Sequence, residues 1–288
     1  MELLVEIVKF FIYSFGIVII AKYMLVPVLR KLSELLGLGA KATGNIAGIA
    51  TSVPELLTVS FSAYAGFIST VIYNVLSSNV INLVQYLFAI YLNKNQKYMS
   101  NKAIKVDIFM VIVTIILPIL MIIFNVEFEV ESVIFFLLLL ILFYYINFNV
   151  HKLYLKKQDE KILEEDNKEY IKAKKTKHKV TKALINVVLL ILIAISLYVV
   201  GNLLSDVLTN LNNIFKLPEL VLGITLGIVT SIPELITFIE AQRKGKDKEN
   251  NEELGVVEAT NNLLTSNVLN LFAIQSIGII IYNIFCQL

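Results

Sequence analysis

The chain has 288 residues, 57% of them hydrophobic and only 17% charged, with no Trp, one Cys and a formal net charge of +2. That is too apolar for a soluble domain of this size, and the class it indicates is a multi-span membrane protein. The single Cys286 excludes an intramolecular disulfide framework, His151 and His178 in a polar stretch offer no zinc site, and no nucleic-acid partner is expected.

Crossing ~30 Å of hydrocarbon takes about 20 apolar residues in a helix. Windows of that kind fall at 4–25, 42–65, 69–92, 105–125, 132–150, 183–204, 218–240 and 256–284, which predicts eight spans. The first begins with Glu2 and Glu6 in place of a basic segment, and no small-residue cleavage site follows Lys22, so it reads as a retained span. The second carries Pro54 and Glu55, and the third carries Asn74, Ser78 and Asn82 at helical spacing. After the fifth comes a stretch, 151–182, with eleven lysines, six acids and no apolar face, a solvated linker between a five-span half (1–150) and a three-span half (183–288). The seventh window holds Pro233 and Glu234, and the eighth holds Asn262, Ser266 and Asn270, a stripe that Glu258 extends toward the helix start.

Lys and Arg gather at 22–41, 94–105, 152–182 and 243–248, which accounts for 23 of the 25 and places the clusters on alternate loops. By the positive-inside tendency those loops, the linker included, are cytoplasmic and both termini lie outside, most simply across the cell membrane.

Two blocks of sequence occur twice. GNIAGIATSVPELLT at 44–58 matches GITLGIVTSIPELIT at 223–237 at nine of fifteen positions, and NVLSSNVINL at 74–83 matches NLLTSNVLNL at 262–271 at seven of ten. The repeats therefore span 44–83 and 223–271. From the second span to the seventh is an odd number of crossings, so the copies run in opposite directions. Inverted repeats of this kind build transporters whose sites lie near the midplane, where broken helices meet.

Proline and glutamate are each costly in a membrane helix, and together they define a site. Pro54 has no N–H to give the carbonyl of Ala50, and Pro233 has none for Val229. A carboxylate at bilayer depth costs about 2.5–3.5 kcal/mol even on lenient scales, so Glu55 and Glu234 need a function. Thr51, Glu55 and Thr58 share one helix face, as do Thr230, Glu234 and Thr237, while Asn79 and Asn267 sit one position off the Asn-Ser-Asn stripes. Free carbonyls, hydroxyls, carboxamides and carboxylates without sulfur or imidazole select hard cations: Ca²⁺, Na⁺ or, less easily, Mg²⁺.

The pattern Gly-x-x-x-Gly-x-x-Thr-Ser-x-Pro-Glu-Leu followed by Ser-Asn-x-x-Asn, twice and in opposite orientation, resembles the alpha repeats of the calcium/cation antiporter superfamily, especially the sodium/calcium exchangers. The resemblance implies an all-α polytopic fold and alternating-access antiport of Ca²⁺ against a monovalent cation, with no catalytic chemistry and no cofactor beyond the transported ions. On matching positions it nominates Glu55 and Glu234, with Thr51, Ser52, Ser78, Asn82, Thr230, Ser231 and Ser266 around them. Two features depart from the pattern. Asn270 stands where many sodium/calcium exchangers carry Asp, and only seventeen residues follow Leu271 where two more spans are usual.

Exchange of Ca²⁺ for Na⁺ is thus the expected function, and Ca²⁺/H⁺ exchange the nearest alternative, with the proton carried on Glu55 or Glu234. A cation channel or a non-transporting scaffold is a more distant one. The shortened second half predicts an open apolar face on 256–284, at Val268, Leu269, Leu271, Phe272, Ile277 and Ile281, which a second copy of the chain would cover.

Overall fold

Apolar runs long enough to span, interrupted by proline and by charged loops, fold into helices alone. The computed structural model describes residues 2–36, 40–124, 130–158, 179–215, 218–247 and 252–286, and no strand occurs among them. Helix α1 (Glu2–Ile20) passes through a π-helical turn (Ala21–Leu25) into α2 (Val26–Leu36). The first repeat is a broken span, α3 (Ala40–Thr51) and α4 (Val53–Tyr64), followed by the straight α5 (Ile68–Leu92). A short 3₁₀ turn (Gln96–Ser100) leads to α6 (Lys102–Ile123), then α7 (Val130–Gln158) and the long α8 (Lys179–Phe215). The second repeat has the same plan: α9 (Glu219–Thr230) and α10 (Ile232–Asp247) form the broken span, and α11 (Glu252–Val268) runs through a π-helical segment (Leu269–Ile274) into α12 (Gln275–Cys286).

Of the eight expected windows, seven are helices long and apolar enough to cross a membrane: Leu3–Leu29, Lys41–Tyr64, Ile68–Leu92, Ile104–Ile123, Thr181–Ile214, Glu219–Arg243 and Glu252–Cys286. The remaining window falls on α7, whose apolar stretch, Glu131–Tyr145, is shorter. The linker expected at 151–182 lies outside the described residues from 159 to 178.

The distribution of side chains is that of a protein whose solvent is hydrocarbon. Large apolar residues such as Phe11, Phe109, Ile141 and Ile191 face outward, while Thr51, Glu55, Asn74, Ser78, Asn82, Thr230, Glu234, Ser266 and Asn270 are all fully buried. In lipid the exposed apolar atoms cost nothing, and the polar groups must find one another or a cargo.

The repeats interlock crosswise. Helix α3 lies along α11, and α9 lies along α5, each at a distance that only glycine permits. A Cβ on Gly48 would stand 2.7 Å from the Asn262 carbonyl oxygen and 2.9 Å from Thr265 Cβ. One on Gly223 would stand 2.6 Å from Tyr73 Cβ, and one on Gly227 would stand 2.9 Å from the Asn74 carbonyl oxygen. These glycines therefore serve close helix approach. Outside this four-element centre, α1, α2 and α8 share one apolar cluster with Ile17, Leu25, Leu197 and Leu204, which also takes in Leu222 and Leu226 of α9. Helices α6 and α7 pack with α11 in another. At the end bearing residues 93–101, Asn95 donates to Gln242 (3.1 Å), Tyr98 to Glu252 (2.9 Å) and Asn101 to Glu253 (2.8 Å), tying the α5–α6 connection to α10 and α11.

The open face expected on the last segment is largely closed. Val268, Leu271 and Phe272 are buried within the chain, and Phe272 meets Phe136 of α7 with ring centroids 6.3 Å apart. Helix α7, which belongs to the five-span half, crosses to cover the π-helical segment and α12 of the second repeat. Ile281 is half-buried against the cluster of Val59, Ala63, Val71, Val75 and Ile274, which leaves Ile277, Ile280, Ile284 and Phe285 as the exposed large apolar positions of α12.

Candidate cation-binding site

The break in each repeat has one geometry. Ser52 follows α3 at φ −81°, ψ −1°, and Ser231 follows α9 at φ −81°, ψ −2°. The Ser52 N–H reaches back to the Gly48 carbonyl (3.2 Å) and the Ser231 N–H to that of Gly227 (3.2 Å), after which Pro54 and Pro233 start the next half-helix. Glu55 and Glu234 thus stand in the first turns of α4 and α10, where the positive end of the helix dipole favours a carboxylate. The preceding half-helices end with their carbonyls directed at the same break, which favours a cation.

Hydrogen bonds draw the four repeat elements to one place. Ser52 of α3–α4 meets Ser266 of α11 at 3.0 Å; Ser266 donates to Glu234 Oε1 at 3.2 Å; and Asn82 Nδ2 of α5 donates to Ser266 Oγ at 3.4 Å. Ser78 Oγ lies 3.5 Å from the Gly227 carbonyl. Glu55 completes the group, for its carboxylate feels the charge of Glu234 and the hydroxyls of Thr230 and Ser231. Glu234 in turn lies beside the Thr51 hydroxyl.

What these groups lack is as informative as what they have. Both carboxylate oxygens of Glu55, Oε2 of Glu234, Oδ1 of Asn82, both polar atoms of Asn270 and Oγ of Ser231 are buried and make no hydrogen bond of ordinary geometry. An unpaired buried polar group costs about 1–3 kcal/mol, and more when charged, so a concentration of them marks a site built for something else to enter. Oxygens dominate the set, and Ca²⁺ takes 6–8 oxygen ligands.

Each nominated residue has a place in this geometry. Glu55, Glu234, Thr51, Ser52, Thr230, Ser231, Ser78, Asn82 and Ser266 come together at the two breaks. Asn270 lies in the π-helical segment one turn beyond Ser266. Ala50 and Val229 precede the breaks, their side chains packed in the apolar cluster of α1, α2 and α8. Thr58 and Thr237 brace the half-helices: Asn74 Nδ2 donates to Thr58 (3.0 Å) and Asn262 Nδ2 to Thr237 (2.6 Å). Glu258 sits two turns, about 12 Å, before Ser266 along α11, with its backbone under Gly44.

Spacing alone left Asn79 and Asn267 without a role, and the structure gives them one. Asn79 Nδ2 donates to the Asn267 carbonyl and Asn267 Nδ2 to that of Asn79, both at 3.1 Å. This reciprocal pair joins α5 to α11 across the pseudo-twofold, behind the site. The signal available in sequence was that both Asn recur in register, in SSNVINL and TSNVLNL.

An all-helical membrane protein with inverted repeats, two broken helices and a paired carboxylate centre belongs to the class of secondary cation antiporters, which are transporters and not enzymes. The family described as sodium/calcium exchanger protein matches residues 7–153 and 185–285, and the chain belongs to that family. No curated protein matches the chain in sequence. Among solved structures, the sodium-calcium exchanger NCX_Mj soaked with 10 mM Na⁺ and zero Ca²⁺ is similar at TM-score 0.53 and 21% identity, over 96% of this chain and 83% of that one. The same exchanger soaked with 2.5 mM Na⁺ and 10 mM Sr²⁺ gives 0.53 at 20% identity, over 97% and 83%.

Proposed function

We propose that this antiporter exchanges Ca²⁺ for Na⁺ by alternating access, at a site formed by Glu55 and Glu234 with Thr51, Ser52, Ser78, Asn82, Thr230, Ser231, Ser266, Asn270 and the carbonyls of Ala50 and Val229. The observation that carries this reading is the fully buried pair Glu55 and Glu234, with three of four carboxylate oxygens unpaired. Two such charges side by side in hydrocarbon are tolerable only with cations between them. One Ca²⁺ neutralises both, and Na⁺ competes for the same oxygens, so the two ions exclude one another and are exchanged.

The sodium/calcium exchanger family to which the chain belongs supports this choice of ions. Ca²⁺/H⁺ exchange is the second reading, favoured by the adjacency of the two carboxylates, because the oxygens that hold a metal also hold a proton. The positive-inside tendency supports an orientation in which the basic loops at 22–41, 94–105, 152–182 and 243–248 face the cytoplasm and the termini lie outside the cell membrane. The exposed residues of α12 would carry any homodimer contact.

Uptake of labelled Ca²⁺ into proteoliposomes tests the reading. An outward Na⁺ gradient is expected to drive accumulation that collapses when Na⁺ is equal on both sides. Accumulation that follows only a pH gradient selects the proton, and uptake that needs no counter-gradient and saturates like a pore removes antiport altogether.

A further inference from the structure

Buried polar atoms without partners mark more than the residues the repeats share. Gln275, at the start of α12, is fully buried, and neither its Nε2 nor its Oε1 has a hydrogen-bond partner. It lies outside both repeated blocks, and its neighbours Ile274, Gly278 and Ile279 pack against apolar side chains. A carboxamide in such surroundings is destabilising unless something comes to meet it.

The π-helical segment decides where that carboxamide lies. Along α11 the buried polar residues Glu258, Asn262, Ser266 and Asn270 recur every fourth position. Gln275 comes five after Asn270, which in an α-helix would set the two about 140° apart round the axis. Here the Gln275 N–H bonds the Asn270 carbonyl, the five-residue bond of a π-helix, and this turns the two residues back toward one face. The polar stripe thereby runs one turn further than α-helical spacing allows.

Helix α4 lies opposite that turn. Ser52 meets Ser266 at 3.0 Å, a Cβ on Gly278 would stand 2.7 Å from Val59 Cγ1, and Cys286 Sγ lies 3.6 Å from the Ala63 carbonyl oxygen. The two segments therefore run side by side in the same direction, and the stretch between Ser52 and Val59, which carries Glu55, faces the stretch that carries Asn270 and Gln275. Both oxygens of Glu55 and every polar side-chain atom of Asn270 and Gln275 are unpaired. The first repeat has no such turn: α5 stays α-helical, and four residues beyond Asn82 stands Tyr86, its hydroxyl 2.7 Å from Thr260 and its ring against Phe238.

We propose that Gln275 is a further cation ligand, its Oε1 joining Asn270 Oδ1 and Glu55 around a hard cation, Ca²⁺ or Na⁺, and that the π-helical segment is what brings it there. The proposal rests on the site assigned above. A carboxamide oxygen is a ligand that such ions accept, and Ca²⁺ needs 6–8 oxygens in all. The second repeat thus supplies one oxygen that the first, closed by Tyr86, does not.

The full-length protein, purified in detergent and stripped of metal, is titrated with Ca²⁺ in choline buffer, binding being read with labelled Ca²⁺ and stability as the unfolding temperature. Gln275→Leu should unfold without metal at the wild-type temperature or above it, since an unpartnered amide has gone, and should bind Ca²⁺ about tenfold more weakly. Gln275→Glu, which keeps the shape and the oxygen, should bind at least as tightly as wild type. Tyr86→Phe, which breaks the bond to Thr260, should lower the unfolding temperature and leave Ca²⁺ affinity unchanged.

Wild-type affinity in Gln275→Leu overturns the proposal, and so does a lowered metal-free unfolding temperature, which would make Gln275 a packing residue. Should Gln275→Leu fail to fold, Gln275→Glu decides, and weaker binding there overturns the proposal equally. Wild-type protein that binds Ca²⁺ while no gradient drives uptake removes antiport and leaves the ligand role to these affinities. Wild-type protein that binds neither Ca²⁺ nor Na⁺ ends both.

Discussion

Both repeats break their first helix with the same dihedral angles and brace the next half-helix with the same Asn-to-Thr bond, but past that point they part. In the second repeat Ser266 donates to Glu234; in the first, the equivalent Ser78 turns to Asn74 Oδ1 (3.4 Å) and the Gly227 carbonyl (3.5 Å), and Glu55, with the Thr230 and Ser231 hydroxyls beside it, accepts no hydrogen bond of ordinary geometry. Asn82 is tied to Ser266 and Asn267, whereas its counterpart Asn270 is tied to nothing. Helix α5 stays α-helical to Leu92, while α11 loosens into a π-helix at Leu269. Duplicated sequence therefore dictates the backbone break, and the side chains around it adopt two arrangements at once. That inequality is what an inverted-repeat transporter requires, because two equal halves would open equally to both sides.

The largest effects come from the residues the repeats share. Glu55→Gln and Glu234→Gln are each expected to abolish Ca²⁺ uptake in proteoliposomes while the protein stays folded by gel filtration and circular dichroism. Gln keeps the volume and one oxygen but leaves Ca²⁺ half compensated. If one of the two variants transported at near wild-type rate, the repeats would differ in kind and the shared site would be wrong.

Packing comes next. Gly48→Ala and Gly227→Ala drive a methyl into the backbone of the opposite repeat and should each cost about 1–3 kcal/mol, read as a lowered unfolding temperature in detergent. Gly16→Ala and Gly201→Ala, whose methyls would meet side chains at 3.5 Å, should cost almost nothing. Equal losses at all four would mean that the crosswise contact is no tighter than the rest.

The smallest expected effect separates the repeats most sharply. Ser266→Ala removes the donor to Glu234 and the partner of Ser52 and Asn82, so apparent Ca²⁺ affinity should fall by about tenfold, the worth of one hydrogen bond to a charged group. Ser78→Ala should fall by less, since Ser78 donates only to neutral oxygens at long range. The reverse order in a Ca²⁺ competition assay would mean that the arrangement described here is not the one that binds Ca²⁺.

The features legible in the sequence are those whose cost is local. Pro54 and Glu55, or Pro233 and Glu234, are too costly for any ordinary membrane helix, so the broken spans and the candidate site could be read residue by residue. Apolar length did the same for the spans, with α7 the weakest because its apolar stretch runs only from Glu131 to Tyr145.

Features that depend on a distant partner were hidden. Nothing in LNLFAI, without Gly or Pro, signals the π-helical segment that carries Asn270. The burial of Phe272 depends on Phe136, more than a hundred residues earlier, and so the expectation of an open face failed. The amide pair Asn95 and Gln242 joins the α5–α6 connection to the end of α10, two stretches whose sequences are otherwise merely polar.

The crosswise clasp of α3 on α11 and α9 on α5 also bears on how the protein is made. A ribosome delivers the first half before the second exists, and that half contains Glu55, Asn74, Ser78 and Asn82 but not the helices that enclose them. Until α9 to α11 emerge, a carboxylate and a polar stripe must wait inside the translocon, or against water or lipid, with Gly44 and Gly48 offering an empty groove. Neither half owns a finished interior, and maturation is the closing of each repeat around the other.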